Sequence, residues 1–195
     1  MENRKNVFLP LFSEIDRRLA KEKLTVVIEG SSASGKTTLA EMLREIYSCT
    51  VFHMDDFFLR PEQRTSDRYA QIGGNVDYER FLYEVLIPLK KGETVNYSRF
   101  DCAKMELQTP MQIKPENLTV IEGVYSMHPE FSGYYDFSAF LDISPELQKE
   151  RILKRNSTEK AERFFNEWIP LENKYFSATD AKGRCDLVIE IKAED

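Results

Sequence analysis

A chain of 195 residues, of which 42% are hydrophobic and 31% charged, is long enough for one domain with a hydrophobic core and has the composition of a soluble globular protein. Its formal net charge of −6 argues against a broad nucleic-acid-binding face, which requires an excess of Lys and Arg. No apolar run approaches the roughly 20 residues that span a bilayer, and the N-terminus lacks a signal-peptide layout, so we expect neither nucleic acid nor membrane as a partner.

Hydrophobic spacing in the first third of the chain predicts a helix followed by alternating strands and helices. Apolar residues at helical spacing predict an amphipathic helix over 7–21. The β-branched run 24–28 is typical of a buried parallel strand, and a helix over 37–47 and a strand over 50–53 follow it. The polar stretch 59–75 is predicted to be a loop.

The remainder of the chain continues the alternation of strands and helices. This order indicates a parallel sheet covered by helices on both faces. The predicted elements are a helix over 77–90, an extended hairpin or insertion over 94–114, strands over 118–121 and 137–143, a helix over 145–156 with Ser144 as its N-cap, a helical stretch over 164–177 interrupted near Pro170, and a strand over 186–191.

A phosphate-binding loop follows the first predicted strand directly, because residues 30–37 match the spacing G-x-x-x-x-G-K-T in full. Gly30 and Gly35 allow the backbone to curl so that several N–H groups point at one anion, and the following helix adds its positive end. Lys36 is suited to bridging the β- and γ-phosphates of ATP, and the Thr37 hydroxyl to binding Mg²⁺. The predicted ATP-binding residues are Gly30, Ser31, Ser32, Ala33, Ser34, Gly35, Lys36, Thr37 and Thr38.

Acidic residues stand at the carboxyl ends of two predicted strands, where ligands gather in open parallel sheets. Asp55 and Asp56 follow the second strand, and Glu122 follows the third core strand. Phosphoryl transfer to a hydroxyl needs one carboxylate at the acceptor and others around the metal. We assign Asp55 to the acceptor hydroxyl, with Asp56 as the alternative, and Glu122 to the metal shell with Thr37. Turn formation and helix capping are the competing roles of the two aspartates.

A basic segment predicts a short lid at about residues 155–165. Arginines on such a flap close over phosphates, neutralise developing charge and exclude water. Arg155 and Arg163 are the predicted phosphate contacts and catalytic residues, beside Lys36 and Asp55. The alternative is a solvated helix face with a salt bridge within one turn. The basic residues of the segment are Arg151, Lys154, Arg155 and Arg163.

These motifs together resemble those of the uridine kinase and phosphoribulokinase family of P-loop kinases, over nearly the whole chain after residue 24. Residues 30–38 are similar to the P-loop of the family. The segment 54–58, Met-Asp-Asp-Phe-Phe, resembles its Asp-x-Phe-Tyr segment, whose first Asp is the general base, and this resemblance favours Asp55. The Glu122-Gly pair resembles the strand end whose Glu helps to hold Mg²⁺, and residues 141–155 resemble the approach to the lid.

On the acceptor side the resemblance is partial. Phe100-Asp101 is similar to an aromatic-Asp segment that precedes a base-reading His in uridine kinases, but Met105 stands where that His is expected, and Phe58 replaces the usual Tyr. Besides Asp55, the resemblance implies Asp77, Phe100 and Asp101 as acceptor-binding residues. Asp77 is a candidate contact of ribose hydroxyls, and capping of the helix that follows it is an equally good role.

The expected protein is therefore a single P-loop NTPase domain over residues 1–195, with an α/β P-loop kinase fold: a five-stranded parallel sheet, helices on both faces and a short lid. The expected activity is ATP- and Mg²⁺-dependent transfer of the γ-phosphate to a hydroxyl of a small molecule, with uridine implied by the resemblance. Nicotinamide riboside, pantothenate or another hydroxyl compound is an alternative acceptor. An NTPase switch and a non-catalytic nucleotide-binding module are alternative functions.

Neither the cysteines nor the histidines are spaced as a disulfide framework or a metal site would require. Cys49, Cys102 and Cys185 are odd in number and far apart, which indicates reduced thiols in a cytoplasmic protein. His53 and His128 have no partner at metal-ligand spacing and are interpreted as structural. The sequence leaves the oligomeric state open, including a homo-oligomer.

Overall fold

The computed structural model describes residues 6–193, whose centre is a parallel sheet of five strands. These are β1 (Leu24–Gly30), β2 (Thr50–His53), β7 (Leu118–Glu122), β8 (Phe137–Ile143) and β9 (Leu187–Ile191). They are ordered β2-β7-β1-β8-β9, and every pairing is parallel. The carboxyl ends of all five strands therefore meet at one edge of the sheet.

Successive residues of the central strand point to opposite faces of the sheet, and each face has its own core. Val26 and Ile28 pack on one face with Leu11 and Leu39, which come from two different helices. Val27 packs on the other face, where a second cluster includes Phe81 and Tyr175. The predicted α/β fold with helices on both faces is confirmed. The helices are α1 (Leu9–Leu19), α2 (Lys36–Tyr47), α3 (Ser66–Ala70), α4 (78–91), α5 (Pro145–Arg155) and α6 (158–179).

The longest helical segment, α6, passes a proline without breaking. The Ile169 N–H donates to the Phe164 carbonyl, one residue further back than in an α-helix, and Pro170, which has no N–H, follows at once. The predicted interruption near Pro170 is therefore a π-turn, and α4 has the same arrangement before Pro88. The segments of α6 are Thr158–Arg163, Phe164–Trp168 (π) and Ile169–Thr179, and those of α4 are Tyr78–Phe81, Leu82–Leu86 (π) and Ile87–Lys91.

The predicted hairpin over 94–114 is also observed. It consists of two nested antiparallel strand pairs, the inner pair lying between the two strands of the outer pair in sequence. The segment 59–75, in contrast, is not wholly loop, because it contains the 3₁₀ turn Pro61–Gln63 and α3, whose N-cap Thr65 accepts the Arg68 N–H. Within residues 6–193 no helix is long and apolar enough to cross a membrane. The hairpin strands are β3 (Val95–Tyr97), β4 (Phe100–Asp101), β5 (Glu106–Leu107) and β6 (Met111–Ile113).

The turns that follow β2 and β7 touch each other at a glycine. Strand β2 leads into the 3₁₀ turn Met54–Phe57, and β7 leads into Gly123. Gly123 has φ 142°, and a Cβ on this residue would lie 2.6 Å from the Cβ of Met54. Any side chain at this position would therefore displace the turn that carries Asp55.

We expect Gly123→Ala to lower the free energy of unfolding by about 2–4 kcal/mol, because backbone strain and displacement of Met54 add together. Gly92→Ala is the matched control, since Gly92 also has positive φ (72°) but no heavy atom within 4 Å of an added Cβ. Its expected loss is about 1 kcal/mol. Urea unfolding measures both values, and equal losses would contradict the importance of the contact with Met54.

Candidate active site

The loop between β1 and α2 has the curled backbone of a phosphate cradle. Gly30, Ala33 and Gly35 have φ values of 145°, 65° and 104°. A Cβ at Gly30 would lie 2.5 Å from the Leu141 carbonyl oxygen, so only glycine fits beside β8. Gly35 is the N-cap of α2 and makes no side-chain cap, which leaves the first N–H groups of the helix for an acceptor outside it. This geometry fits a phosphate group.

A cleft of about 550 Å³ opens beside this loop and collects most of the predicted catalytic groups. The ammonium of Lys36 is buried at its wall and donates to the carbonyls of Gly30 (2.7 Å) and Ser31 (2.9 Å). The sequence-predicted residues in the lining, besides the loop 32–35 and Thr38, are Lys36, Thr37, Asp55, Glu122 and Arg155.

Thr37 and Glu122, the two predicted metal ligands, lie next to each other. The Thr37 hydroxyl donates to Glu122 Oε1 at 3.0 Å, so two oxygen donors of the kind Mg²⁺ prefers stand together. No group of three or more His, Cys, Asp or Glu side chains within residues 6–193 is arranged to hold a metal. Mg²⁺ at this point would therefore take its other ligands from water and from donor phosphates, as is usual for this ion.

His53 takes part in the same cluster, which the sequence did not indicate. Its Nδ1 lies 2.6 Å from Glu122 Oε1, and this hydrogen bond raises the pKa of His53. The pairing of His53 with Glu122 follows from the register of the two strands, which the local sequence around His53 does not reveal. His53 and Glu122 are the last residues of β2 and β7, and the parallel register places them directly opposite each other. The second histidine, His128, has the structural role that was expected of it, because it packs on Tyr78 with ring centroids 4.1 Å apart.

Asp55 and Asp56, which the sequence left as alternatives, have different surroundings. The Asp55 side chain opens into the cleft, where the protein around it and the nearby Glu122 carboxylate both raise its pKa. Asp56 instead anchors the hairpin: its Oδ2 accepts from the Tyr97 hydroxyl and pairs with Arg99 Nε, both at 3.1 Å. Asp55 is thus the aspartate that is available to a reacting hydroxyl, with a pKa raised above that of an ordinary Asp.

The other predicted acceptor residues lie outside the cleft lining, behind the turn that carries Asp55. Asp77 is buried, caps α4 by accepting the Arg80 N–H at 3.2 Å, and donates its own N–H to the Phe57 carbonyl. Phe100 is buried on β4. Asp101 accepts the N–H groups of residues 103 and 104, which closes the hairpin turn. Capping, the alternative role for Asp77, is therefore the one observed in its contacts.

The predicted lid region is helical from Thr158 onward, and its arginines separate into two groups. Arg155 lines the cleft and stacks on Phe164, with its guanidinium carbon 5.5 Å from the ring centroid. Arg163 is absent from the lining and pairs with Glu167 at 3.3 Å on an exposed helix face. Arg151, named in the basic segment but not as a phosphate contact, lines the cleft and approaches the Ala33 carbonyl at 3.4 Å.

A buried carboxylate, Glu29, supports the loop from below and was not singled out in the sequence. Its two oxygens accept the N–H groups of Gly30 and Met127, each at 2.9 Å, and the Tyr175 hydroxyl at 3.1 Å. Complete burial raises its pKa to about 7, although these hydrogen bonds and the charge of Lys36 act in the opposite direction. Its position, a charged residue within a largely apolar strand, is the sequence feature that could have indicated a supporting role.

We expect Glu29→Gln to lower the free energy of unfolding by about 1–3 kcal/mol at pH 5, because the amide NH₂ must face a backbone N–H group. The loss should shrink as the pH rises to 8. The raised pKa of folded Glu29 means that the stability the wild-type carboxyl contributes is present below its ordinary pKa of 4.5 and is lost as the pH rises through about 7.

The matched control is Glu190→Gln, the same change at an exposed position of β9, where we expect less than about 0.5 kcal/mol at either pH. Denaturant unfolding at both pH values measures the two variants. A loss at Glu29 that grows with pH would contradict the assignment of its protonated form to the folded protein.

The chain is similar to known proteins in sequence and in fold. The family model for the phosphoribulokinase / uridine kinase family matches residues 25–164. Uridine kinase of Lactococcus lactis subsp. cremoris (strain MG1363) is 25% identical in an alignment of 151 residues that covers 72% of this chain and 72% of that protein. The chloroplastic phosphoribulokinase of Mesembryanthemum crystallinum is 26% identical in an alignment of 169 residues that covers 73% of this chain and 42% of that protein. A structure described as a possible uridine kinase from Bacillus stearothermophilus has the same fold, with a TM-score of 0.74 at 24% identity over 97% of this chain and 100% of that one.

Proposed function

The chain belongs to the phosphoribulokinase / uridine kinase family, and from that premise we propose that it transfers the γ-phosphate of ATP to a hydroxyl of a nucleoside-like acceptor, with uridine as the first candidate. The observation that carries the proposal is the presence of Asp55 in one cleft with Lys36 and Thr37. A carboxylate that opens into the cleft beside a phosphate cradle gives no advantage to simple nucleotide binding, because it faces the anion and repels it. It is the group that a hydroxyl acceptor requires.

The donor half of this proposal rests on the loop and on the ends of β1 and β7. The N–H groups of the loop and the Lys36 ammonium hold the phosphates, and Lys36 has only to exchange its two carbonyl partners for phosphate oxygens. Thr37 and Glu122 hold Mg²⁺, with His53 orienting the Glu122 carboxylate. Bound Mg²⁺ supplies charge neutralisation on the transferred group.

In the acceptor half, Asp55 orients the hydroxyl and accepts its proton while the bond from that oxygen to the γ-phosphorus forms and the bond from the γ-phosphorus to ADP breaks. Asp56 contributes indirectly, because its contacts with Tyr97 and Arg99 fix the hairpin against the turn that carries Asp55. Asp77, Phe100 and Asp101 remain proposed acceptor residues in a wall behind this turn. The Asp77 Oδ2 accepts no hydrogen bond among the described residues, but it is buried and lies 3.6 Å from Arg80 Nε and 3.8 Å from Arg60 Nε. Contact of this carboxylate with a ribose hydroxyl therefore requires the surrounding side chains to move.

In the proposed lid, Arg151 and Arg155 cover the phosphates from α5. A role for Arg163 requires the N-terminal part of α6 to move, because Arg163 lies outside the cleft lining and is paired with Glu167. We also propose that residues 1–195 act as one domain in the cytoplasm, where ATP is available to a small-molecule kinase and thiols such as the exposed Cys102 stay reduced.

We expect purified protein with Mg²⁺-ATP to form ADP in proportion to an added acceptor, in a panel of uridine, cytidine, nicotinamide riboside and pantothenate. Asp55→Asn should lower kcat by about 10²- to 10⁴-fold while ATP binding is preserved, because only the proton acceptor is lost. Asp56→Asn is the matched control and should lower kcat less than about tenfold, since the amide oxygen still accepts from Tyr97. Rapid ATP hydrolysis that no acceptor changes and that persists in Asp55→Asn would refute the kinase proposal and favour an NTPase switch.

The pH dependence of the reaction tests the same carboxylate. Asp55 must be ionised to accept a proton, so kcat/KM should rise with pH through the pKa of Asp55, which lies above the ordinary 3.8. Glu122→Gln removes one cause of the raised pKa and should move this acidic limb to lower pH, while the loss of a metal ligand lowers the whole profile. An acidic limb at the same pH in both proteins would show that Glu122 does not act on Asp55.

A further inference from the structure

Helix α6 contacts the phosphate-binding loop through a carboxylate that the proposed reaction does not use. Glu172 is 4% exposed, and its two oxygens accept the only two polar hydrogens of Ser32: the backbone N–H at 3.0 Å and the hydroxyl. Ser32 is in the middle of the loop and lines the cleft. One side chain, 140 residues away in sequence, therefore fixes both the backbone and the side chain of a loop residue.

A second contact, one turn further along the same helix, reaches the start of the loop. The Tyr175 hydroxyl donates to Glu29, whose other oxygen accepts the Gly30 N–H. Residues at positions i and i+3 share one face of a helix, so Glu172 and Tyr175 act side by side. Through this pair, α6 holds the loop at Gly30 and at Ser32.

The loop is held from its other side by α5, in a complementary manner. Gln148 donates to the Ser32 carbonyl at 3.0 Å, and Arg151 approaches the carbonyls of Ala33 and Ser34. Side chains of α5 therefore donate hydrogen bonds to carbonyl groups of the loop, whereas Glu172 accepts hydrogen bonds from the N–H and hydroxyl groups of Ser32. Both helices flank the proposed lid, which joins the end of α5 to the start of α6.

The charge of Glu172 makes this arrangement unusual for an anion-binding site. Burial raises its pKa, the two hydrogen bonds from Ser32 lower it, and Lys36 and Asp55 act on it from nearby. A buried carboxylate beside a phosphate site repels the ligand, so its presence requires a compensating benefit. Preorganisation is such a benefit, because a loop that is already curved does not lose conformational entropy when the ligand binds.

We propose that Glu172 is a positioning residue for the donor nucleotide: it holds Ser32 so that the loop is preformed to receive the phosphates. The inference rests on the proposed function in that ATP is the donor. It differs from a general stabilising role, because a preformed loop changes the affinity for ATP and leaves the affinity for the acceptor unchanged.

The test measures Mg²⁺-ATP binding by calorimetry, together with KM for ATP, KM for the acceptor and the unfolding midpoint. Glu172→Ala should weaken ATP binding by about 10- to 100-fold, the effect of losing a hydrogen bond to a charged group, with the KM for the acceptor unchanged. Glu172→Gln should bind ATP within about threefold of wild type, because the amide accepts from the Ser32 N–H and donates to its hydroxyl oxygen. Unchanged ATP binding in the Ala variant, or equal losses for ATP and acceptor, would overturn the proposal.

Ser32→Ala provides a route that does not depend on the folding of Glu172→Ala. It removes the hydroxyl contact alone and should weaken ATP binding by about threefold or more. The double variant Ser32→Ala/Glu172→Ala should weaken ATP binding by less than the product of the two single losses, and a strictly multiplicative loss would overturn the pairing.

These outcomes separate the inference from the proposed function. If wild type binds ATP, Glu172→Ala weakens that binding and no acceptor is phosphorylated, the kinase proposal is wrong and the positioning role is supported. If the kinase reaction occurs and Glu172→Ala binds ATP as wild type does, the positioning role is wrong and the function is supported. If wild type binds no ATP, both are wrong.

Discussion

The in-register pairing of three parallel strands decides where the polar groups of the cleft lie. Ile28 of β1 pairs with Glu122 of β7, which pairs with His53 of β2, so β2 and β7 end side by side, two residues before β1 ends at Gly30. Beyond these ends the chain turns into the phosphate-binding loop, the Gly123 turn and the turn that bears Asp55. A shift of one residue in the β1–β7 pairing would separate Glu122 from Thr37, and the same shift in the β2–β7 pairing would separate Glu122 from His53.

Close contacts of two glycines with neighbouring chain segments are the second constraint on the carboxyl edge of the sheet. Gly30 lies against the Leu141 carbonyl and Gly123 against Met54, and in each case an added Cβ would lie within 2.6 Å of its neighbour. Glycine at these two positions thus allows a loop and a turn to reach the cleft without displacing the strands that support them. The sheet therefore provides a fixed support, and the segments that follow its strands place the polar side chains in the cleft.

Carboxylates surround Lys36, and their electrostatics connect the fold to the proposed reaction. Glu29 and Glu172 are buried, and burial raises their pKa values. Asp55 is exposed in the cleft, and the protein around it raises its pKa, whereas Lys36 favours the ionised form of all three carboxylates. Two of the three use their oxygens to hold the loop through N–H or hydroxyl donors, and Asp55 alone opens into the cleft as a candidate reactive group. A carboxylate group thus supports the loop at two positions and is proposed to act on the acceptor at the third. The hydrogen-bond donors around each carboxylate decide between these roles.

The amino-acid sequence by itself determined the α/β class, the bounds of β2 and β8, and the phosphate-binding loop, because short apolar β-branched runs, helical hydrophobic spacing and glycine spacing are local properties. It also placed Asp55 and Glu122 at strand ends, which locates them at one edge of any parallel sheet. Only the tertiary structure decided that Asp56 anchors a hairpin, that Arg163 lies outside the cleft, and that Glu29, His53 and Glu172 support the site. These contacts join residues that are distant in sequence, and their geometry depends on strand register and helix rotation, which local patterns do not encode.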